Sequence, residues 1–363
     1  MLSDINVLDL SRVLAGPLAT MLLGDLGANV IKVERPGSGD DTRGWGPPFD
    51  AAGESAYYLS VNRNKKSLGA DLTLAPDREL IRSLIAGADV VVDNFKRGML
   101  ARNGFDVSAI LAEHPKLVWC TITGFGPDSD RAGYDFVVQA EQGWMAITGD
   151  PNGAPMKVGV ALADVVAGKD ACIAILAALV ARARTGRGRH VTVSLAGSAS
   201  AALVNVAQNA LVTGEEPRRW GNGHPNLVPY QLFEASDRPL VIAVGNDAQW
   251  SACARALGLA ALADDPRLRA NAGRIAERGR VIAMMSARIA ERSASQWIAL
   301  LDAAGVPCGV VRTVLESLRE VGGSAHTGIA PSVPGSVRMP PPRLDEHGAS
   351  IRALQWSAFA ERR

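Results

Sequence analysis

The chain predicts an α/β fold built on a parallel sheet, and three observations carry that prediction. Short apolar runs recur between helical patterns: NVLDL at 6–10, NVIKVE at 29–34, DVVVD at 89–93 and LVWCTIT at 117–123. The runs are nearly continuous rather than alternating, as strands covered on both faces are. Of the 363 residues, 47% are hydrophobic, enough to supply both covering layers.

The elements follow in order. The strand at 6–10 leads into the loop SRVLAG, and Pro17 stands where a first helical turn suits its fixed φ. The helix PLATMLLGDL closes at Gly27, a left-handed C-cap, before the strand at 29–34. Residues 77–86 are helical in pattern and precede the strand at 89–93. After a Gly- and Pro-rich loop at 151–155, VGVALADVVAG opens a long apolar helix to about Arg184, and TGRGR closes it with glycines and cations. HVTVSL at 190–195 is a strand and 201–212 is helical, whereas GEEPRRWGNGHPNLVPYQ is loop by its Gly, Pro and Asn content. PLVIAV at 239–244 is a strand, and the helices beyond it, rich in Ala and Arg, run to about Ala304. A large domain over 1–224, a small one over 225–315 and a returning C-terminal segment over 316–363 are expected.

Composition excludes several classes. Thirty-eight Lys and Arg against 37 Asp and Glu leave a charge of +1, so no excess advertises nucleic acid or an anionic membrane. The longest apolar run, 171–181, falls short of the ~20 residues that span a bilayer. MLSDINVLDL carries acid where a secretory leader carries base, which predicts a cytoplasmic protein. Cys120, Cys172, Cys253 and Cys308 form no C-x-x-C and the five histidines no H-E-x-x-H, so neither a zinc site nor a redox pair is expected. Glu34 ends the second strand as a dinucleotide-binding acid would, yet SRVLAGP lacks G-x-G-x-x-G, so NAD is not expected. The turn still lies at the carboxyl end of a strand, where such sheets take adenine or an anion.

Two features point to chemistry. Cations cluster after strands: Arg35; Arg63, Lys65 and Lys66 in NRNKKS; Lys96, Arg97 and Arg102 in NFKRGMLAR. A phosphate-rich ligand needs such groups, while any one of them read singly is ordinary solvated surface. Asp164 lies in GVALADVVAG among apolar or small neighbours. It either caps the helix that follows or is a desolvated carboxylate held for acyl transfer.

VLDLSRVLAGP, LGANVIKVERPGSGDDTRGW, NRNKKSLGADL, ADVVVDNFKRGMLARNGF, TGFGP, RAGYDFVVQAEQG, VGVALADVVAG, ARTGRGRHVTVSL, GNGHPNLVPYQLF and AGVPCGVV run in one order along nearly the whole chain. In these motifs the chain resembles the family III CoA-transferases, the group that contains formyl-CoA transferase, carnitine CoA-transferase and the α-methylacyl-CoA racemases. PPPRLDEHG looks like a degraded form of that family's closing PPxLGEHT.

The resemblance implies a Rossmann-like large domain, a small domain, and an intertwined homodimer acting on small molecules, with coenzyme A as substrate and no metal. Asp164 matches the catalytic aspartate. Leu14, Ala15, Arg35, Ala70, Asp71, Leu72 and Thr73 match positions around the adenosine, although Thr73 departs from the lysine common there. Asn94, Phe95, Lys96 and Arg102 match positions facing the phosphates, and Gly133, Tyr134 and Asp135 the segment against the pantetheine and thioester. The implied reaction passes through an aspartyl anhydride and an aspartyl-CoA thioester on Asp164. Glycine-rich turns at Gly221, Asn222, Gly223 and His224, and at Gly245 and Asn246, are candidates to face the substrate.

Racemisation, the alternative chemistry of the family, needs a second acid/base group. The racemases have histidine where this chain has Tyr134, and a phenol, titrating at about 10, is a poor base at neutral pH. A CoA-binding protein without catalysis is a further alternative, which the intact Asp164 argues against. RRWGNGHPNLVPYQ resembles the subgroup that moves CoA between dicarboxylic acids such as succinate and glutarate, where Arg218, Arg219 or His224 would meet a distal carboxylate.

Overall fold

The structure is a computed structural model and describes residues 1–362. The chain divides into two compact units: Met1–Met145, Lys157–Glu215 and the segment from Leu318 onward form the first, and Ala146–Met156 with Glu216–Ser317 the second. The second unit therefore takes in 146–156, outside the small domain drawn from composition at 225–315.

The first unit is built on β1 (Asn6–Asp9), β2 (Asn29–Glu34), β3 (Lys65–Gly69), β4 (Val90–Asp93), β5 (Val118–Thr123) and β6 (His190–Ser194). They form one sheet in the order β3-β2-β1-β4-β5-β6, and every pairing is parallel. This is the doubly wound order, in which the connection reverses direction between β1 and β4 and opens a crevice beyond their carboxyl ends. The apolar runs serve both faces because successive side chains point to opposite sides. Val7, Val30, Val92 and Cys120 pack under α1 (Ala15–Asp25) and the later long helix, while Leu8, Ile31, Val91 and Trp119 pack under α2 (Ala75–Ala86). Downstream, the short α3 (Asp135–Glu141) precedes α4 (Leu162–Thr185).

Two expectations need correction. NRNKKS is no ligand-facing loop: Lys65 and Lys66 open β3, and Arg63, Lys65 and Lys66 are buried. Their charges are met inside, Lys65 by Asp9 at 3.0 Å and Arg63 by Asp25 at 2.7 Å, while Lys66 Nζ donates to the Ala358 carbonyl at 2.5 Å. Buried cations of this kind require such partners. The helix expected at 201–212 is two helices, Leu195–Ala201 and Val204–Thr213, with Val204 at the junction at φ 44°.

The C-terminal segment laces back over this unit. Arg338 donates to the Gly24 and Ala28 carbonyls, the Gly69 N–H donates to Asp345 at 2.7 Å, and the Trp356 indole donates to Leu84. The edge strand β3 is thereby covered instead of presenting free N–H and C=O groups.

The second unit holds an antiparallel sheet of β7 (Tyr230–Glu234), β8 (Pro239–Ala243) and β9 (Cys308–Val310). Phe233, Leu240, Ile242, Trp250 and Trp297 form its core, and α5 (Asp247–Ala256) follows β8. Among the described residues no single helix is long and apolar enough to cross a membrane.

Candidate active site

The carboxyl end of β1 organises the crevice. Asp9 Oδ1 accepts from the Ser11 N–H at 2.9 Å and the Ser11 hydroxyl at 2.5 Å; Oδ2 accepts from Thr20 at 2.6 Å and Lys65 at 3.0 Å. Burial alone would raise the Asp9 carboxyl, but Lys65, Lys32 and the two hydroxyls outweigh it and hold it down at about 2. Lys32 in turn lies 2.9 Å from Asp40 and donates to the Ser11 carbonyl at 2.9 Å. The turn above is tied on both sides. Asn94 accepts from the Arg12 N–H at 2.9 Å and donates to its carbonyl at 2.7 Å, and the Val13 N–H faces both Asp40 oxygens at 3.3 Å.

Val13 has φ 72°, a conformation that a β-branched residue adopts only where its surroundings impose it. Gly16 then has no room for a side chain, since a Cβ there would lie 2.2 Å from Ser11 Oγ. The outcome is that α1 opens with the Ala15 N–H directed at the Asp164 carboxylate.

Asp164 lies in the first turn of α4 and does not cap it; the N-cap is Ala161, without a side-chain bond. Capping comes from α3. Asp135 Oδ1 accepts from the Ala163 N–H at 2.8 Å and faces the Asp164 N–H at 3.4 Å, while Oδ2 accepts from Gln139 at 2.7 Å. Gln139, wholly buried, accepts from the Val158 N–H at 2.8 Å. Two glycine contacts permit this arrangement. A Cβ on Gly168 would lie 2.6 Å from the Ala15 carbonyl, so α4 passes close beneath α1; one on Gly133 would lie 2.1 Å from Gly124 Cα, so the two loops cross backbone to backbone.

Asp164 therefore has one backbone donor and no cation. Burial first, then the neighbouring Asp135 charge, raise its carboxyl to about 7 against the pull of the Ala15 N–H. Tyr57 beside it is pushed up to about 12 by burial and by Asp164, Asp135 and Asp40.

Three cavities adjoin through shared lining residues. One of about 310 Å³ contains Asp164 and Asp135 with Val13, Trp45, Tyr57, Tyr134, Phe136 and Lys157. It shares Val13, Tyr134 and Asp164 with a second, of about 330 Å³, which carries Ala15, Asn94, Lys96, Arg97 and Gly133. That one shares Arg12 and Phe95 with a third of about 260 Å³, lined by Arg35, Ala70, Asp71, Leu72 and Thr73. Trp45, Tyr134 and Phe136 are exposed around the first, a cluster of apolar surface that marks a binding site.

Most residues singled out in sequence thus line this route. Leu14 does not; it is buried with Met21 and Val61. Arg102 is exposed at the end of the helix Met99–Arg102 and lines none of the three. Asn94 lines the second cavity, but its amide is committed to the Arg12 backbone.

The other candidates belong to the second unit. The His224 N–H donates to the Tyr230 carbonyl, which brings the 221–224 turn beside the end of β8. There the Gly245 N–H donates to Gln249 at 2.9 Å, and Asn246 caps α5 through the Gln249 N–H at 2.9 Å. Trp45, Tyr57, Phe136 and Lys157 were not found in sequence. Lys157 had a signal: it and Asp164 bracket six apolar or small residues, VGVALA.

A crevice at the reversal point of a doubly wound sheet, with Arg35, Lys96 and Arg97 along its length and a half-buried carboxylate of raised pKa at one end, defines an α/β enzyme for a small-molecule substrate. The chain belongs to CoA-transferase family III, whose model matches residues 2–347, and it is accordingly a transferase. It is 41% identical to the succinate–glutarate CoA-transferase of Agrobacterium fabrum, over 97% of this chain and 95% of that one. It is 42% identical to the succinyl-CoA:glutarate CoA-transferase of Mus musculus, over 96% and 85%. A CAIB/BAIF family protein from Brucella suis superposes with a TM-score of 0.85 at 42% identity, covering 97% of this chain and 98% of that one.

Proposed function

We propose that the protein transfers CoA from a dicarboxylic acyl-CoA to a free dicarboxylic acid, with Asp164 as the covalent carrier. The observation that carries this reading is the carboxylate itself: half-buried without a cation beside it, with the Ala15 N–H as its donor, at the end of the cavity route. An ionised carboxylate deprived of solvent is a reactive oxygen nucleophile. The names of the relatives from Agrobacterium fabrum and Mus musculus support the dicarboxylic class.

Asp164 attacks the thioester carbonyl, the C–S bond breaks, and CoA leaves as thiolate with an anhydride on Asp164. The thiolate attacks the Asp164 carboxyl carbon, expelling the donor acid as its carboxylate and leaving an aspartyl-CoA thioester. The acceptor carboxylate attacks that thioester, CoA departs again, and its attack on the acceptor carbonyl of the second anhydride restores Asp164. Each intermediate remains activated, so neither ATP nor a metal is required, provided water is kept out. Arg35 and residues 70–73 would take the adenosine end, Lys96 the phosphates, and Gly133 and Tyr134 the thioester arm. In the intertwined homodimer we expect, the partner would cover the exposed Val204, Leu211 and Val212 of the helix Val204–Thr213, none of whose residues is buried.

Incubation with succinyl-CoA and glutarate, quenched during turnover, should show by intact mass an adduct that hydroxylamine converts to a hydroxamate at Asp164. Asp164→Asn should carry no adduct and transfer CoA at least about 10³-fold more slowly. Turnover with an unmodified Asp164 overturns the proposal.

A further inference from the structure

Resting on the dicarboxylic reading above, we propose that Lys157 binds the second carboxylate of the acid substrate and so sets the preference for diacids over monoacids. The cavity around Asp164 is otherwise unsuited to such a ligand: it carries the carboxylates of Asp135 and Asp164, and its walls include Trp45, Tyr57 and Phe136. A diacid enters with two charges. One carboxylate must approach Asp164, which is neutral once acylated; the other needs a cation in the same cavity. Lys157 is the cation there.

Of the other cations along the route, Arg35, Lys96 and Arg97 line the two further cavities and not this one, and three more are matched. Arg12 pairs with Asp41, Lys32 with Asp40, and Arg131 with Glu141. Lys157 makes no ion pair among the described residues, and its Nζ donates to the Val158 carbonyl at 3.2 Å, leaving ammonium hydrogens for a ligand. Its position is also coupled to that of Asp164. The Val158 N–H, one residue on, donates to buried Gln139, which donates to the same Asp135 carboxylate that caps α4. The two charges therefore hang from one hydrogen-bonded frame. A lysine, a point charge on a flexible stem, reaches diacids differing by a methylene, which the fixed fork of arginine does less readily.

The test compares wild type, Lys157→Met and Lys157→Arg, as full-length enzyme, with succinyl-CoA as common donor and glutarate or pentanoate as acceptor. The donor half-reaction is shared, so the ratio of the two kcat/KM values isolates the acceptor carboxylate. Lys157→Met should lower the glutarate-to-pentanoate ratio roughly 10-fold or more, chiefly through the glutarate KM, and Lys157→Arg should recover most of it. An unchanged ratio, or an equal fall for both acids, overturns the proposal. The ratio can be read whether or not an adduct is trapped on Asp164, so absence of that adduct in wild type sinks the covalent reading alone.

Discussion

Asp9 and Asp164 lie in the same unit, the first fully buried and the second half-buried at a cavity wall, and they have opposite chemistry. Asp9 meets Lys65 at 3.0 Å, with Lys32 close by and two hydroxyls on its oxygens, and it is held at about 2. Asp164 has the Ala15 N–H, a second carboxylate as neighbour, and a carboxyl raised to about 7. Asp9 is the more deeply buried of the two and is nevertheless the one held low, so burial does not decide reactivity. Compensation does: a matched carboxylate is scaffold, and an unmatched one is a reagent.

The largest expected break in this comparison is Asp9→Asn. It leaves Lys65 in the core without its anion, and the urea midpoint should fall by the equivalent of about 3–5 kcal/mol. Asp9 contributes its stability above the unfolded value of 3.8 and loses it only as pH falls through about 2, so the deficit should be present at pH 7.

Asp164→Asn should do the reverse. A carboxyl raised from 3.8 to about 7 stabilises the fold only while protonated, and that contribution is lost as pH rises through about 7. The amide variant should be the more stable protein at pH 8, by at most about 4 kcal/mol, with the difference shrinking toward pH 4. Equal denaturation curves for wild type and variant at pH 8 would show that Asp164 is compensated by something else.

The smallest effect sharpens the contrast. Activity requires the ionised carboxylate, so kcat/KM should climb with pH up to about 7 and then level. Asp135→Asn keeps an acceptor for the Ala163 N–H but removes a negative neighbour. The acid limb should move to lower pH by on the order of one unit. A limb that stays in place would assign it to another group.

Legibility in sequence follows the same division. β1, β2, β4 and β5 were readable because their interiors are apolar runs, and Asp164 was readable because a carboxylate among alanines and valines is out of place. β3 was not, because KKSLG reads as a charged loop. Its lysines are core residues only by virtue of Asp9, 56 positions away in the chain for Lys65, and of the C-terminal segment for Lys66. Tyr57 and Trp45 were missed for a related reason. They come from a Gly- and Pro-rich stretch whose place beside Asp164 is decided by tertiary contacts such as those of Asp40. Asp135 was found through the family motif, but its work as the cap of a distant helix was not visible locally.

The C-terminal lacing bears on how the enzyme is made. Each group lining the three cavities precedes residue 318, so a ribosome finishes the catalytic alphabet before it makes the lacing segment. Yet β3, which carries the counter-ion of Asp9, keeps a bare flank until Asp345 arrives on the Gly69 amide. Closure of this border thus waits on the segment that holds Asp345, and a chain cut before it would possess every reactive atom while displaying an open border ready to recruit a neighbour.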